Sequence, residues 1–432
     1  MIIKFSVSNF GSIRDEQTLS FEADKSVTLE DYYVVNYSGH RLLKLALIYG
    51  ANASGKTSVL RALDFLRDLV IDPENRKTTA LNFEPFLFDN THRNELTKFS
   101  LEFIQHGKKF LYEIELTKKF ISSESLFVYD KRKSLVYKRN TSINNQFTEI
   151  NFGNKFTVDK SFKKTLEANT LWNNSVLGGF LKTNIDLEIL NSVLAWFFEY
   201  LKPIVLSKTK LEGYITNSID ENEINKNDVI EILKKADFNI SNIHIKEEKN
   251  KVDAKLIKVF EVLDLPEERI EEIKDSSLMK LDFEHTVNDE KYVLPFNLES
   301  EGTQRYYSFA GLLVMLLKNG IAIPIDELES SLHPDLYTHF LLTFLINSKK
   351  SQIIATTHNR EILNNRDIFR DDAIWFTNKC NEGSTSLYSL ADIDSSVVRD
   401  TSNIFNAYKI GKLGGVPNLG DYYIQLSEDE KG

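Results

Sequence analysis

The sequence is poor in cysteine, proline, methionine and tryptophan. Cys380 is the single cysteine among 432 residues, so no internal disulfide can form and a cysteine-built zinc site is disfavoured. There is no internal repeat and no low-complexity tract, and prolines number only 8. Long apolar runs are also missing. The longest, Phe309 to Leu317, has nine residues, against the roughly 20 that a membrane-crossing helix needs. Met1 to Ser6 lacks the anatomy of a signal peptide, so a cytoplasmic protein without membrane contact is expected. Positive charge is in deficit: 53 Lys+Arg against 63 Asp+Glu leaves −10. That balance disfavours bulk attraction to nucleic acid but leaves room for one local basic groove.

What is present belongs to a globular chain. The hydrophobic set is 42% and charged residues are 27%. At roughly 150 residues per domain the length suggests two or three folding units. Ile3, Phe5 and Val7 alternate with Lys4, Ser6 and Ser8, which reads as a half-buried strand. Asn9 to Ser12 reads as a turn and Gln17 to Phe21 as the returning strand of a hairpin. Leu42 to Tyr49 is an apolar run suited to a central strand, and from Thr57 the spacing turns helical, with Val59, Leu60, Leu63, Leu66, Leu69 and Val70 on one stripe. Phe99 to Ile104, Phe110 to Leu116 and Ser125 to Tyr129 read as an antiparallel meander.

From about Lys160 to Met279 the composition becomes rich in Leu, Ile, Lys, Glu and Asn at helical spacing, as in Leu187, Leu190, Val193, Leu194 and Phe197, and again in Leu256, Val259, Phe260 and Leu263. This stretch reads as a mainly helical insertion, with a short strand at Ile243 to Ile245 and a mobile polar loop at Asn217 to Asn227. Strand character returns at Met279 to Phe283 and Tyr292 to Phe296. A buried helix follows at Tyr306 to Leu317, a strand at Ile321 to Ile325, a helix at Leu336 to Asn347 and a buried strand at Gln352 to Thr356. The expected organisation is residues 1–160 and 280–432 as two parts of one head, with 161–279 inserted between them.

Gly50-Ala51-Asn52-Ala53-Ser54-Gly55-Lys56-Thr57 fits G-x-x-x-x-G-K-[ST] between an apolar strand and a helix, which is the setting of a P-loop. Gly50 and Gly55 let the backbone curl so that successive N–H groups, through Asn52, Ala53 and Ser54 and on to Ser58, face phosphate oxygens. The helix N-terminus adds its positive end. Lys56 suits the β- and γ-phosphates of ATP and Thr57 suits Mg²⁺. Ile321 to Ile325 followed by Asp326-Glu327 reads as a Walker B strand, with Asp326 on the metal and Glu327 polarising the attacking water. Pro324 is unusual there: it marks either a bulge or a position whose N–H would meet no neighbour. Ser300-x-Gly302-x-Gln304 opens a helix about twenty residues earlier and has the shape of an ABC signature, a second phosphate cradle. His358, just after the strand Gln352 to Thr356, is placed to touch a γ-phosphate. His92, His106, His285, His333 and His339 read as ordinary loop or core histidines.

These motifs in this order resemble the ABC/SMC-type ATPases. Asp326 to Pro334, Arg370 to Phe376, Ser386 to Leu390, Ala407 to Pro417 and Asn9 to Ile13 narrow the resemblance to bacterial AAA-family ATPases of the abortive-infection AbiLi or RloA type. The resemblance implies an α/β ABC-type P-loop head, with a mostly parallel sheet, an antiparallel β lobe and a helical insertion. It implies two heads sharing each ATP between Lys56 of one chain and Ser300 and Gly302 of the other, with Ser330 to His333 as a D-loop. It also implies homodimers or larger assemblies of dimers, and anti-phage defence beside a nuclease-like or toxin-like effector encoded nearby. Three departures stand out, the first being Pro324 in a Walker B strand that is usually all aliphatic in the family. Gln105 and Gln146 are weak candidates for the Q-loop, and Gly411-Lys412 stands where the family usually has a glycine–arginine pair. A DNA-clamping ATPase of the RecF or SMC class is the competing reading, and direct contact with DNA or RNA stays open. A purely switching, non-hydrolytic protein is disfavoured because Glu327 fills the hydrolytic position.

Overall fold

The computed structural model describes residues 1–249, 277–393 and 404–416. The described residues fold into two compact units, one made of residues 2–28, 46–194, 356–393 and 404–416, the other of Met1 and residues 29–45, 195–249 and 277–355.

The first of these contains a seven-stranded antiparallel sheet. Its order is Phe147–Phe152, Arg132–Ser142, Ile121–Asp130, Lys108–Leu116, Thr97–Gln105, Ile2–Ser8 and Gln17–Ser20. The expected hairpin is present, with Val7 opposite Gln17 and Phe5 opposite Leu19. The meander is present too, extended by two strands that local alternation does not announce. Arg132–Ser142 alternates poorly because Arg139 points inward, fully buried. Arg139 donates to the carbonyls of Asn174 and Trp172, both at 3.0 Å, and lies 3.5 Å from Glu124. Glu124 also accepts from the hydroxyls of Tyr112 and Tyr137 and from the Val176 N–H. Burial pushes the Glu124 carboxyl up, and Arg139 with the three donors opposes that push. A buried charge so partnered anchors the segment Trp172 to Val176 on the sheet.

The helix Lys56–Ile71 buries the expected stripe of Val59, Leu60, Leu63, Leu66 and Val70. Its Phe65 meets Phe10, Phe83 and Phe99 with ring centroids 5.0–5.7 Å apart. In the same unit the strand Leu45–Gly50 pairs in parallel with Ile374–Lys379, and Thr385–Ser389 adds antiparallel to the latter.

The second unit holds the parallel pair Ala322–Ile325 and Gln352–Thr356, the helices Glu301–Lys318 and Pro334–Asn347, and an antiparallel sheet of Ile240–Lys249, Ser277–Val287 and Glu290–Pro295. Phe309 packs on Phe340, and Phe283 on Tyr307 and Phe296. The Pro324 carbonyl accepts from Val205 N–H at 2.9 Å. That side of the strand therefore faces Leu201 to Val205, an irregular segment joined only by isolated bridges, where a missing N–H breaks no ladder.

Two expectations are corrected. The apolar run Leu42 to Tyr49 is not one strand: His40–Leu43 pairs with Val34–Tyr37, and a new strand starts at Leu45. Lys44 makes the break. Its ammonium is buried against the carbonyls of Leu345 and Ser348, and burial lowers its pKa to about 8. Asn217 to Asn227 is not a loop but the end of the helix Glu212–Asp220, a tight turn, and the start of Lys226–Lys235. Ile215, Ile219 and Ile224 are buried beneath it, and the Ser218 carbonyl accepts from the N–H groups of Glu223 and Ile224. The strand at Ile243 to Ile245 extends over Ile240–Lys249, while Leu256, Val259, Phe260 and Leu263 lie outside the described residues. Residues 160–194 of the helical stretch fall in one unit and 195–249 in the other.

Candidate nucleotide site

The P-loop closes the strand Leu45–Gly50 and opens the helix Lys56–Ile71. Gly55 is the N-cap, at φ +100°, and no side chain caps the helix. A Cβ on Gly55 would come within 2.0 Å of Thr385 Oγ1, and one on Gly50 within 2.2 Å of Thr377 Oγ1. Both positions therefore require glycine, Gly55 on two counts. Ala53 also adopts positive φ, +60°. An uncapped helix start beneath a curled loop is where phosphate oxygens bind.

Lys56 is 6% exposed. Its ammonium donates to the carbonyls of Gly50 at 2.9 Å and Ala51 at 3.1 Å, so it lies folded across its own loop. The loop is pinned from the neighbouring strands. Ser54 Oγ is 2.6 Å from Thr377 Oγ1, and Thr385 Oγ1 is 3.0 Å from the Ser54 carbonyl. Ser12 Oγ lies 2.8 Å from Thr385 Oγ1 and donates to Ser58 Oγ at 2.9 Å.

Ser12, Thr377 and Thr385 were not among the expected site residues. The signal for Ser12 was the turn Asn9 to Ser12, and each residue of it has a task. The Asn9 amide donates to the carbonyls of His92 and Glu95 and accepts from Phe86 N–H. Phe10 enters the Phe65 cluster, Gly11 takes φ +56°, and Ser12 reaches the P-loop helix. Thr377 and Thr385 belong to strands far along the chain and carried no local signal. The same holds for Phe88, Lys379 and Gly383, which line one cleft with Ser12 and Ala53 to Ser58. Phe88 is 74% exposed, with the Lys379 ammonium 6.0 Å from its ring centre. An exposed aromatic face beside a phosphate cradle can carry a planar base.

His358 belongs to this unit, exposed at the end of the strand Gln352–Thr356, and Thr357 N–H donates to the Ile48 carbonyl. Gln105 and Gln146 sit at hairpin turns of the antiparallel sheet, away from the loop in sequence and hydrogen bonding.

The other expected residues lie in the second unit. Asp326 follows the strand Ala322–Ile325 and is nearly buried, its N–H bound to the Val205 carbonyl. Glu327 takes φ +51° and Ser331 φ +61°. This left-handed backbone costs a non-glycine residue roughly 1–2 kcal/mol and is the kind of strain that persists at working sites. The Glu327 carbonyl accepts from Ser330 N–H, which tightens the turn. Ser300 is the N-cap of Glu301–Lys318, its hydroxyl accepting from Thr303 N–H. Gly302 is next to it on the first turn. Gln304 turns its amide back onto the carbonyls of Phe296 and Glu299, so it holds the loop that presents Ser300. His285 Nε2 lies 2.6 Å from Glu299 Oε1 and steadies the same loop.

Among the described residues no group of three or more His, Cys, Asp or Glu side chains could hold a metal unaided. Mg²⁺ that arrives with nucleotide phosphates needs only one or two hard protein oxygens, and the Thr57 hydroxyl and Asp326 carboxylate are of that kind.

An α/β chain with a parallel strand feeding a glycine-turned, lysine-bearing helix start, and with an antiparallel β lobe, is a P-loop nucleotide-binding protein. More particularly, it belongs to the P-loop ATPase family described as "AAA domain, putative AbiEii toxin, Type IV TA system", whose model matches residues 45–364. No curated protein matches the chain. Similar solved structures are heads of SMC proteins. One is an SMC head bound to the C-winged helix domain of ScpA, at 14% identity, TM-score 0.44, covering 90% of this chain and 97% of that one. Another is the SMC head domain from Thermotoga maritima, at 12% identity and TM-score 0.40, covering 90% and 98%. A third is an Smc head with an extended coiled coil bound to the C-terminal domain of ScpA, derived from Pyrococcus furiosus, at 15% identity and TM-score 0.39, covering 95% and 98%. Among the described residues no helix is long and apolar enough to cross a membrane.

Proposed function

We propose that the chain hydrolyses ATP with Mg²⁺ between two paired copies, and that the cycle controls a separately encoded toxin-like or nuclease-like effector in anti-phage defence. The observation that carries the ATPase part is the pinned P-loop with Lys56 folded over an uncapped helix start. In this reading the backbone from Gly50 through Asn52, Ala53, Ser54 and Gly55 to Ser58 cradles the phosphates. Lys56 neutralises the β- and γ-phosphates. Thr57 and Asp326 supply the protein oxygens for Mg²⁺, which when bound offsets phosphate charge. Glu327 orients and polarises water, and His358 contacts the γ-phosphate. Ser300 and Gly302 of the partner chain close the site, with Gln304 behind them. The defence role rests on the motif resemblance and agrees with the family's toxin description.

Two measurements follow. ATP turnover by the purified chain requires Mg²⁺, stops with EDTA, and rises more steeply than linearly with protein concentration, because each site needs two chains. A specific activity independent of concentration down to the nanomolar range would remove the shared-site geometry. Phe88 is read as the base platform. Phe88→Ala raises the Kd for ATP about tenfold, since losing one base–aromatic stack costs on the order of 1–3 kcal/mol, while Phe88→Tyr retains affinity. Titration calorimetry checks both, and equal affinities for Phe88→Ala and the parent protein would reject the platform.

A further inference from the structure

The residues matched by the family model end at 364, yet a later segment packs directly on the P-loop. The short helix Ile404–Lys409 and the turn through Gly415 belong to the same unit as the loop. Ile404, Tyr408 and Leu413 are buried. Tyr408 stands edge-on to Tyr49, the residue before Gly50, with ring centroids 5.9 Å apart at 70°, and packs on Phe376 at 5.3 Å. Its hydroxyl donates to the Gly415 carbonyl at 2.9 Å, and the Tyr388 hydroxyl donates to that of Leu413 at 2.7 Å. Gly414 and Gly415 both take positive φ, +67° and +66°. This double left-handed turn lays Gly415 so close to the loop that a Cβ there would be 3.4 Å from Gly50 Cα and 3.3 Å from the Thr377 carbonyl.

Arg360 also lies over the Tyr408 ring, its guanidinium carbon 5.4 Å from the ring centre. Arg360 stands two residues after His358 and opens the turn Glu361–Asn364, which packs against the helix Ile404–Lys409. One aromatic side chain thus joins the root of the P-loop to the loop that carries His358.

We infer that Ile404 to Gly415 is a clamp that holds the His358–Arg360 loop in register with Gly50, and that Tyr408 is its positioning residue. The inference rests on the ATPase reading. Nucleotide binding uses P-loop contacts that the Ser54–Thr377 and Thr385 hydroxyl contacts also pin, and no residue of Ile404 to Gly415 takes part in those contacts. Loosening the clamp therefore displaces His358 without dismantling the cradle, and its effect falls on turnover. Displacing a group in contact with the reacting phosphate by about 1 Å costs one to two orders of magnitude in rate.

The test uses the full chain. Arg360→Ala and Tyr408→Leu each lower kcat about tenfold, with Kd for ATP changed by less than about threefold. Tyr408→Phe, which keeps the ring and loses only the hydroxyl, retains kcat. Tyr408→Leu opens a cavity in the core, so Arg360→Ala, a half-buried position, is the deciding variant. Combining Arg360→Ala with Tyr408→Leu gives no further loss, the mark of one shared interaction. Additive losses, a fall in affinity equal to the fall in turnover, or normal kcat in Arg360→Ala would overturn the clamp. Lys56→Ala is assayed beside them. If it abolishes turnover while Arg360→Ala does not lower it, the clamp alone fails; if it leaves turnover intact, the ATPase reading fails and the clamp with it.

Discussion

Lys56→Ala abolishes measurable ATP turnover and weakens ATP binding by roughly two to three orders of magnitude. Lys56 is 6% exposed, and its ammonium is held by the carbonyls of Gly50 and Ala51. A cation fixed in that way offers its full charge to phosphate with little loss of rotamer entropy on binding. Alanine removes the charge and leaves the cradle, because the loop is also pinned by the Ser54–Thr377 contact and by Thr385. The variant therefore melts close to the parent temperature, and its failure is chemical rather than structural. Lys56→Arg does not rescue it, since a longer planar guanidinium does not fit the fold-back onto two carbonyls of its own loop. The measurements are phosphate release, calorimetry with ATP, and a thermal melt on the same preparation. Normal turnover in Lys56→Ala would remove the P-loop from the mechanism.

The P-loop was legible because its chemistry is local. Gly55 at φ +100° next to a lysine and a threonine is written in eight consecutive residues, and the strand before and helix after obey their own periodicities. The strand Gln352–Thr356 and the helix Pro334–Asn347 were readable for the same reason. What was not legible depends on partners far away in sequence. Arg132–Ser142 carries a charge into the core, which breaks the alternation, and Glu124, the Thr148 hydroxyl and the carbonyls of Trp172 and Asn174 offset its desolvation. Lys44 splits an apolar run because two helix-end carbonyls at Leu345 and Ser348 receive its ammonium. Asn217 to Asn227 is polar on its surface while three isoleucines beneath it are buried, so composition suggested a loop where the chain forms two helices joined by a tight turn. Of the partners of the P-loop, Ser12 sits in a turn that did carry a signal, whereas Thr377 and Thr385 are hydroxyl residues of no distinctive pattern; only the antiparallel pairing of their strands brings them to the loop.

Glu327→Gln separates binding from hydrolysis. Glutamine has the shape of glutamate and tolerates φ +51° no worse, so the turn closed by Ser330 N–H on the Glu327 carbonyl persists and Asp326 keeps its place after the strand. What is lost is the negative charge that, in the proposed mechanism, orients and polarises water. Positioned general-base assistance contributes about 10²–10⁴ in rate, so kcat falls by about three orders of magnitude while ATP affinity stays within about threefold of the parent value. With ATP and Mg²⁺ bound and unable to turn over, paired chains outlast the chromatography, and light scattering across the eluting peak gives twice the monomer mass. Ser300→Arg in the same background, a bulky cation on the exposed N-cap that faces the partner's nucleotide in this reading, returns the protein to monomers without changing its single-chain fold. The two variants divide the proposal. Residual turnover near the parent rate in Glu327→Gln would take the catalytic role from this residue. A monomer with ATP in Glu327→Gln would leave hydrolysis to a single chain and remove Ser300 and Gly302 from the site. A dimer that survives Ser300→Arg would place the contact between copies somewhere other than the signature helix.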